Sequence, residues 1–126
     1  MEDRKFLQLN DIDAYKIAFH LSNYVWNIVI HWKHFEKSTV GEQFVRSVDS
    51  ISANIAEGFG RHFKKDKIKF YRYSKGSLKE SLDWNEKSKV WELISEEEYQ
   101  HIFLELQKLP KALNFLIKYS LEKLQE

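Results

Sequence analysis

The chain contains no cysteine, one proline (Pro110), and four glycines in 126 residues. Without cysteine there can be no disulfide and no thiolate metal site, which suits a reducing compartment. So little glycine and proline leaves few residues for the many turns of an all-β fold. No apolar run approaches the length needed to cross a bilayer, and the opening MEDRKFLQLND lacks the form of a signal peptide. A soluble, cytoplasmic protein with no membrane association is expected. No glycine-flanked nucleophile elbow or phosphate-binding glycine loop occurs, and NIAEGFG does not follow a strand. No catalytic residue and no cofactor site can be named, and the expectation is a protein that is not an enzyme.

What the chain does have is rings and segregated charge. Nineteen aromatics and a 43% apolar fraction are enough for one packed domain without staples. The net charge of +1 conceals a split. Residues 61–79 carry eight Lys or Arg against one acid, Asp66, while residues 80–105 carry eight acids against Lys87 and Lys89.

In chain order, residues 1–10 read as a mobile lead-in and residues 11–126 as one all-α domain. Asp11 or Asp13 is a plausible cap for a first helix reaching about Lys33. Tyr15, Phe19, Ser22, Trp26 and Val29 lie on one side of it, and Ile17, Leu21, Tyr24 and Ile28 on a second. A helix apolar on two sides needs cover on two sides, which suggests subunit contact; the alternative is that some of these rings are exposed or lie under the lead-in. Ser38 or Thr39 is placed to cap a second helix ending near Gly60, with Glu42 completing a capping box. A third helix from about Asp66 to Leu93 carries Phe70, Ser74, Ser77, Ser81, Trp84, Ser88 and Trp91 on one stripe. Gly76 in its middle implies tight packing there. Ser95, followed by three glutamates, starts a fourth helix with a stripe of Tyr99, Ile102, Leu106, Leu109, Leu113 and Leu116. Pro110 predicts a kink or break in it. Four such helices with short links predict an antiparallel up-and-down bundle.

The stretch Phe44 to Glu80 holds residues that packing alone would not choose. Phe44, Val48, Ile51 and Ile55 form an oily stripe, and Ser47, Ser50, Asn54, Glu57 and Arg61 form a polar one beside it. The run QFVRSVDSISANIAEGFGR followed by FYRYSKGSLKE resembles the signature of four-helix bundle proteins encoded in 23S ribosomal RNA intervening sequences. The resemblance is carried by Arg46, Ser50, Ile51, Asn54, Ile55, Ala56, Glu57, Gly58, Gly60 and Arg61, then Phe70, Gly76, Ser77 and Glu80. It implies a left-handed antiparallel four-helix bundle assembled as a homopentameric ring. A related group, the accessory variability proteins of diversity-generating retroelements, is a basic pentamer that works with RNA and a reverse transcriptase. This chain differs from the general pattern in having Glu36 in place of the usual proline before helix two, and VWELIS where helix three has a glycine-containing end. It is also much less basic than the retroelement group.

Two readings of the polar stripe stand side by side. In one, Ser50, Asn54, Glu57 and Arg61 satisfy one another, or Ser77 and Glu80, as a buried register-setting network. In the other, they face a subunit interface or a ligand. The basic residues Arg61, Lys64, Lys65, Lys67, Lys69, Arg72, Lys75 and Lys79 alternate with His62, Phe63, Phe70, Tyr71 and Tyr73. They read either as an RNA site, with cations on phosphates and rings on unpaired nucleobases, or as a solvated lysine face with Phe70 and Tyr73 simply core. Glu98 and His101 have the spacing of one di-iron half-site, but such sites need two pairs and two more acids, so no metal site is assigned. RNA or ribonucleoprotein association is the leading functional expectation, with a protein-binding scaffold or accessory subunit as the alternative.

Overall fold

The computed structural model describes residues 8–123. Among these there are four helices and no strand: α1 (Asp13–Val29), α2 (residues 34–59), α3 (Lys64–Val90) and α4 (Glu96–Lys123). A 3-10 turn at Leu9–Asp11 precedes α1. Most of the expected lead-in, residues 1–7, lies outside the described residues, as does Leu124 at the far end. Each helix packs on its neighbours in the chain, and α1 closes against α4, so α1 and α3 occupy opposite corners of a four-helix bundle.

Two of the expected stripes form the centre. On α2, Phe44, Val48, Ile51 and Ile55 are all but inaccessible, and on α4 Ile102, Leu106, Leu109 and Leu113 are fully enclosed. At about 25 cal/mol per Å² of apolar area, burial of such branched side chains is the main term favouring the fold. Pro110 does not break α4, which is one helix throughout.

The other two helices turn differently from expectation. The core face of α1 is Ala14, Ala18, Leu21, Val25 and Val29, running between the two expected sides. The short alanines let the helix approach its neighbours and displace the rings sideways. Leu21 is therefore core rather than outward, while Phe19, Trp26 and Ile30 are exposed. On α3 the buried residues are Ile68, Tyr71, Ser74, Leu78, Ser81, Asn85 and Ser88. Three serines of the expected stripe are thus internal, but Trp91 is exposed and Phe70, Ser77 and Trp84 are only half-buried.

The helix ends need three corrections. Ile12, without a side-chain cap, precedes α1, because Asp11 instead accepts from the Gln8 amide at 2.8 Å. The capping box at Thr39 does not form: α2 begins earlier, and Ser38 and Thr39 lie within its π-helical segment Lys37–Gly41, both donating back to the Phe35 carbonyl. The box forms at Ser95 instead, where Ser95 Oγ accepts from the Glu98 amide at 3.0 Å and Glu98 Oε1 accepts from the Ser95 amide at 2.9 Å. α1 and α3 also stop short of the expected Lys33 and Leu93. At the end of α3 Glu92 takes a left-handed φ of 60°, and the Leu93 amide donates to the Ser88 carbonyl at 2.8 Å, a Schellman closure made without glycine.

Gly76 contradicts its reading as a tight contact: a Cβ there would meet nothing within 4 Å. The tight glycine is Gly58, whose Cβ would lie 2.7 Å from Tyr71 Cε1 and 2.9 Å from the Lys67 carbonyl. Gly58→Ala should therefore destabilise the fold by about 1–3 kcal/mol through overpacking. Gly76→Ala in the dilute protein should instead stabilise it by about 1 kcal/mol through helix propensity. Denaturant unfolding of the two variants checks both signs.

Candidate functional site

Small side chains bring α2 and α3 together. Ser81 Oγ lies 3.1 Å from Ser47 Oγ and 2.8 Å from the Ser77 carbonyl, and Ser74 Oγ donates to the Ile51 carbonyl at 2.8 Å. These buried hydroxyls are satisfied, whereas farther along the same buried face of α3 Ser88 Oγ and Asn85 Oδ1 have no hydrogen-bond partner. The register it sets places the α2–α3 turn, and with it the basic segment.

The polar stripe of α2 is not the buried network. Ser50 Oγ donates to the Arg46 carbonyl at 2.8 Å, Asn54 Nδ2 to the Ser50 carbonyl at 2.9 Å, and Arg61 pairs with Glu57 at 2.5 Å. Arg46 pairs with Glu42 at 3.0 Å. All of these bonds run along one helix at half-exposed or exposed positions, and none crosses to Ser77 or Glu80. Glu80 accepts from Trp84 Nε1 at 3.3 Å. Of the stripe only Ser47 enters the seam; Ser50, Asn54, Glu57 and Arg61 are turned farther around and miss α3. Arg46, Asp49 and Ser50 instead border a groove of about 490 Å³ between α1 and α2, floored by Val29, Val45 and Ala53 and edged by Trp26 and Ile30. Ser22 donates to Asp49 across these two helices. The sequence reading did not single out Val45 and Ala53; their spacing eight residues apart on one face was the available signal. A second groove, of about 580 Å³, lies between the start of α1 and α4, with Ile17, Ala112 and Phe115 among its walls.

The basic candidates divide by what they touch. Lys67 faces inward, and its ammonium donates to the Phe59 carbonyl at 2.8 Å, closing the end of α2. Burial lowers its pKa. The Arg61 guanidinium lies 4.6 Å from the Phe70 ring centre, and Lys69 approaches the same ring at 5.5 Å. Lys75 donates to Asn114 Oδ1 on α4 at 2.7 Å. Lys64 is half-buried, and Lys65, Lys69, Arg72 and Lys79 are exposed, with no ion pair among the described residues. The rings divide too: Phe63 and Tyr73 are 47% and 51% exposed, Phe70 is half-buried, and Tyr71 is core. Phe70 and Tyr73 meet edge to face at 5.4 Å. The solvated-lysine reading with both rings in the core thus fails for Tyr73.

Glu98 is used in the capping box, and the His101 ring lies against Tyr24, tilted by 40° with centres 4.2 Å apart. Among the described residues, no three His, Cys, Asp or Glu side chains group as metal ligands, and no helix is long and apolar enough to cross a membrane.

A four-helix chain with this α2–α3 junction matches a known family model over residues 10–115, that of the 23S rRNA-intervening sequence proteins. The protein belongs to that family. Its fold is also similar to the crystal structure of a protein of unknown function from the S23 ribosomal protein family of Bacteroides thetaiotaomicron. That match has a TM-score of 0.73 at 22% identity and covers 82% of this chain and 97% of the other. No curated protein matches.

Tyr71, which fills the space that Gly58 leaves, links this junction to pH. Burial pushes its phenol from 10.0 up to about 12. The folded protein therefore keeps a proton that the unfolded chain loses. That contribution is complete below pH 10 and is lost as pH rises from 10 to about 12, costing roughly 2–3 kcal/mol. Tyr99, raised by its bond to Glu86 and then by burial, and Tyr24, raised by burial and then by Glu98 and Glu97, add the same sign. Denaturant unfolding between pH 9 and about 12 should show this decline, and Tyr71→Phe should flatten part of it.

Proposed function

We propose that the protein is a non-enzymatic, cytoplasmic RNA-associating bundle, antiparallel, up-and-down and left-handed, that works as a homo-oligomeric ring. The observation that carries the RNA reading is the exposed cluster at the start of α3: Lys65, Lys69 and Arg72 beside the open rings of Phe63 and Tyr73. Ammonium and guanidinium groups release counterions from phosphates, and exposed rings stack on unpaired bases. A ring repeats this cluster, so modest contacts combine through avidity. The family's 23S rRNA-intervening sequence description is in keeping with an RNA setting.

The ring reading rests on α1. Apolar grooves flank it on both sides, and Phe19, Trp26 and Ile30 project from it. A closed ring needs two different surfaces on every subunit, which two grooves supply. The same grooves favour the second reading, a scaffold or accessory subunit that receives another protein and touches no nucleic acid.

Two experiments test these readings. Labelled structured and single-stranded RNA should bind wild type at low salt. Replacing Lys64, Lys65, Lys69 and Arg72 with Gln should weaken binding at least tenfold and flatten the salt slope by about 3. Lys67 is left in place because it closes α2. No binding at low salt would overturn the RNA reading and leave the scaffold. Ile17→Asp or Trp26→Asp should lower the mass in solution without loss of helicity, whereas a monomeric wild type would sink the ring.

A further inference from the structure

We propose that the outer face of α3 pairs with the same face of a second copy, antiparallel and two-fold symmetric, centred on Gly76. At 100° per residue, Lys65, Lys69, Arg72, Gly76, Glu80 and Asp83 lie within roughly 40° of one line along the helix. All six are exposed. Gly76 stands near the middle of α3; on that line Lys65, Lys69 and Arg72 precede it, and Glu80 and Asp83 follow, with Lys87 one turn beyond.

A face with this order is complementary to itself when turned end over end. With Gly76 opposite Gly76, Arg72 meets Glu80 of the second copy and Lys69 meets Asp83, and the symmetry repeats both pairs. Two like-charge approaches remain: Lys65 with Lys87 at the rim, where Lys87 is already held by Asp83 at 2.7 Å, and Lys79 beside Arg72 of the second copy. Two-fold contacts are isologous, so each complementary pair occurs twice.

Gly76 supplies the second argument. A mid-helix glycine lowers helix stability, and within the bundle nothing approaches this one. A missing side chain at the crossing point lets two helix axes come closer than any other residue allows. In the single chain Gly76 has only its cost; in the pair it has a use. Because α1 lies at the opposite corner of the bundle, a contact through α1 leaves this face open.

The pairing also bears on the proposed function and rests on it in one respect. Lys69 and Arg72 cannot hold a phosphate strand and a second copy at once. Self-pairing therefore masks the RNA site, and RNA and the second copy compete.

Charge reversal tests this directly. To keep α1 contacts out of the readout, every protein carries Trp26→Asp. Sedimentation velocity at low salt should give the parent twice the chain mass of 15.2 kDa. Lys69→Glu with Arg72→Glu should give single chains, as should Glu80→Lys with Asp83→Lys. An equimolar mixture of those two variants should return to the doubled mass, since the contacts of positions 72 with 80 and 69 with 83 are then all attractive. Gly76→Gln should weaken pairing at least tenfold while raising the melting temperature of the dilute protein. Single chains in the parent, reversal variants that keep the parent's mass, or a mixture that stays as single chains would each overturn the pairing. Added single-stranded RNA should dissociate the parent pair. RNA that binds and leaves the pair intact overturns the competition, while pairing without any RNA binding upholds the pairing and removes only the RNA reading.

Discussion

The distance between α2 and α3 is the constraint from which the other features of the molecule follow. It is short because Ser47, Ser74 and Ser81 occupy positions where most bundles place leucine, and because Gly58 has no Cβ to hold Tyr71 away. Serine at such a seam adds little apolar area, but its hydroxyls bond across or along the seam, so the polar atoms are not left unpaired. Lys67 reaches back to the Phe59 carbonyl, Arg61 lies over Phe70, Lys75 bonds Asn114, and Lys65, Lys69, Arg72 and Lys79 face solvent. The basic surface is thus a consequence of the seam.

How much of this was legible in the chain depended on what kind of residue carried the packing. α2 and α4 could be read directly because Ile, Leu, Val and Phe recur at three-four spacing and mark the core face unambiguously. α3 could not, because its core face is mostly polar and small. Ser74, Ser81, Asn85 and Ser88 are buried there, while the large rings Trp84 and Trp91, which draw the apolar moment, lie to the side. α1 misleads in the same way, since Ala14 and Ala18 are core and Trp26 is not. The sum of hydrophobicities finds a face only when the buried residues are also the large ones.

Glycine and cap positions show the same limit. A glycine inside a helix signals either close approach or nothing, and sequence cannot say which; Gly58 has Tyr71 against it and Gly76 has open space. Thr39 with Glu42 and Ser95 with Glu98 carry the same local motif, yet only the second forms a capping box. Upstream of Thr39 the chain is already helical from His34, whereas upstream of Ser95 it is a loop following the left-handed Glu92. Capping signals mark where a helix can start, and the preceding backbone decides whether it does.

For the candidate site, composition located the bases but not their roles. Arg61, Lys67 and Lys75 are engaged with Glu57, the Phe59 carbonyl and Asn114, partners 4, 8 and 39 residues away in sequence. The first could be inferred from helical spacing and the others only from the fold. What is left outside is a short set on one helix, and that helix is polar on both its faces. Its inner face is held by the seam with α2 and by contact with α4, so those residues answer to packing. Its outer face answers to no neighbour in the chain, yet along one line of it Lys65, Lys69 and Arg72 precede an exposed glycine, Gly76, and Glu80 and Asp83 follow. Packing within the chain requires neither feature, so a reading that looks only for the core passes over this face.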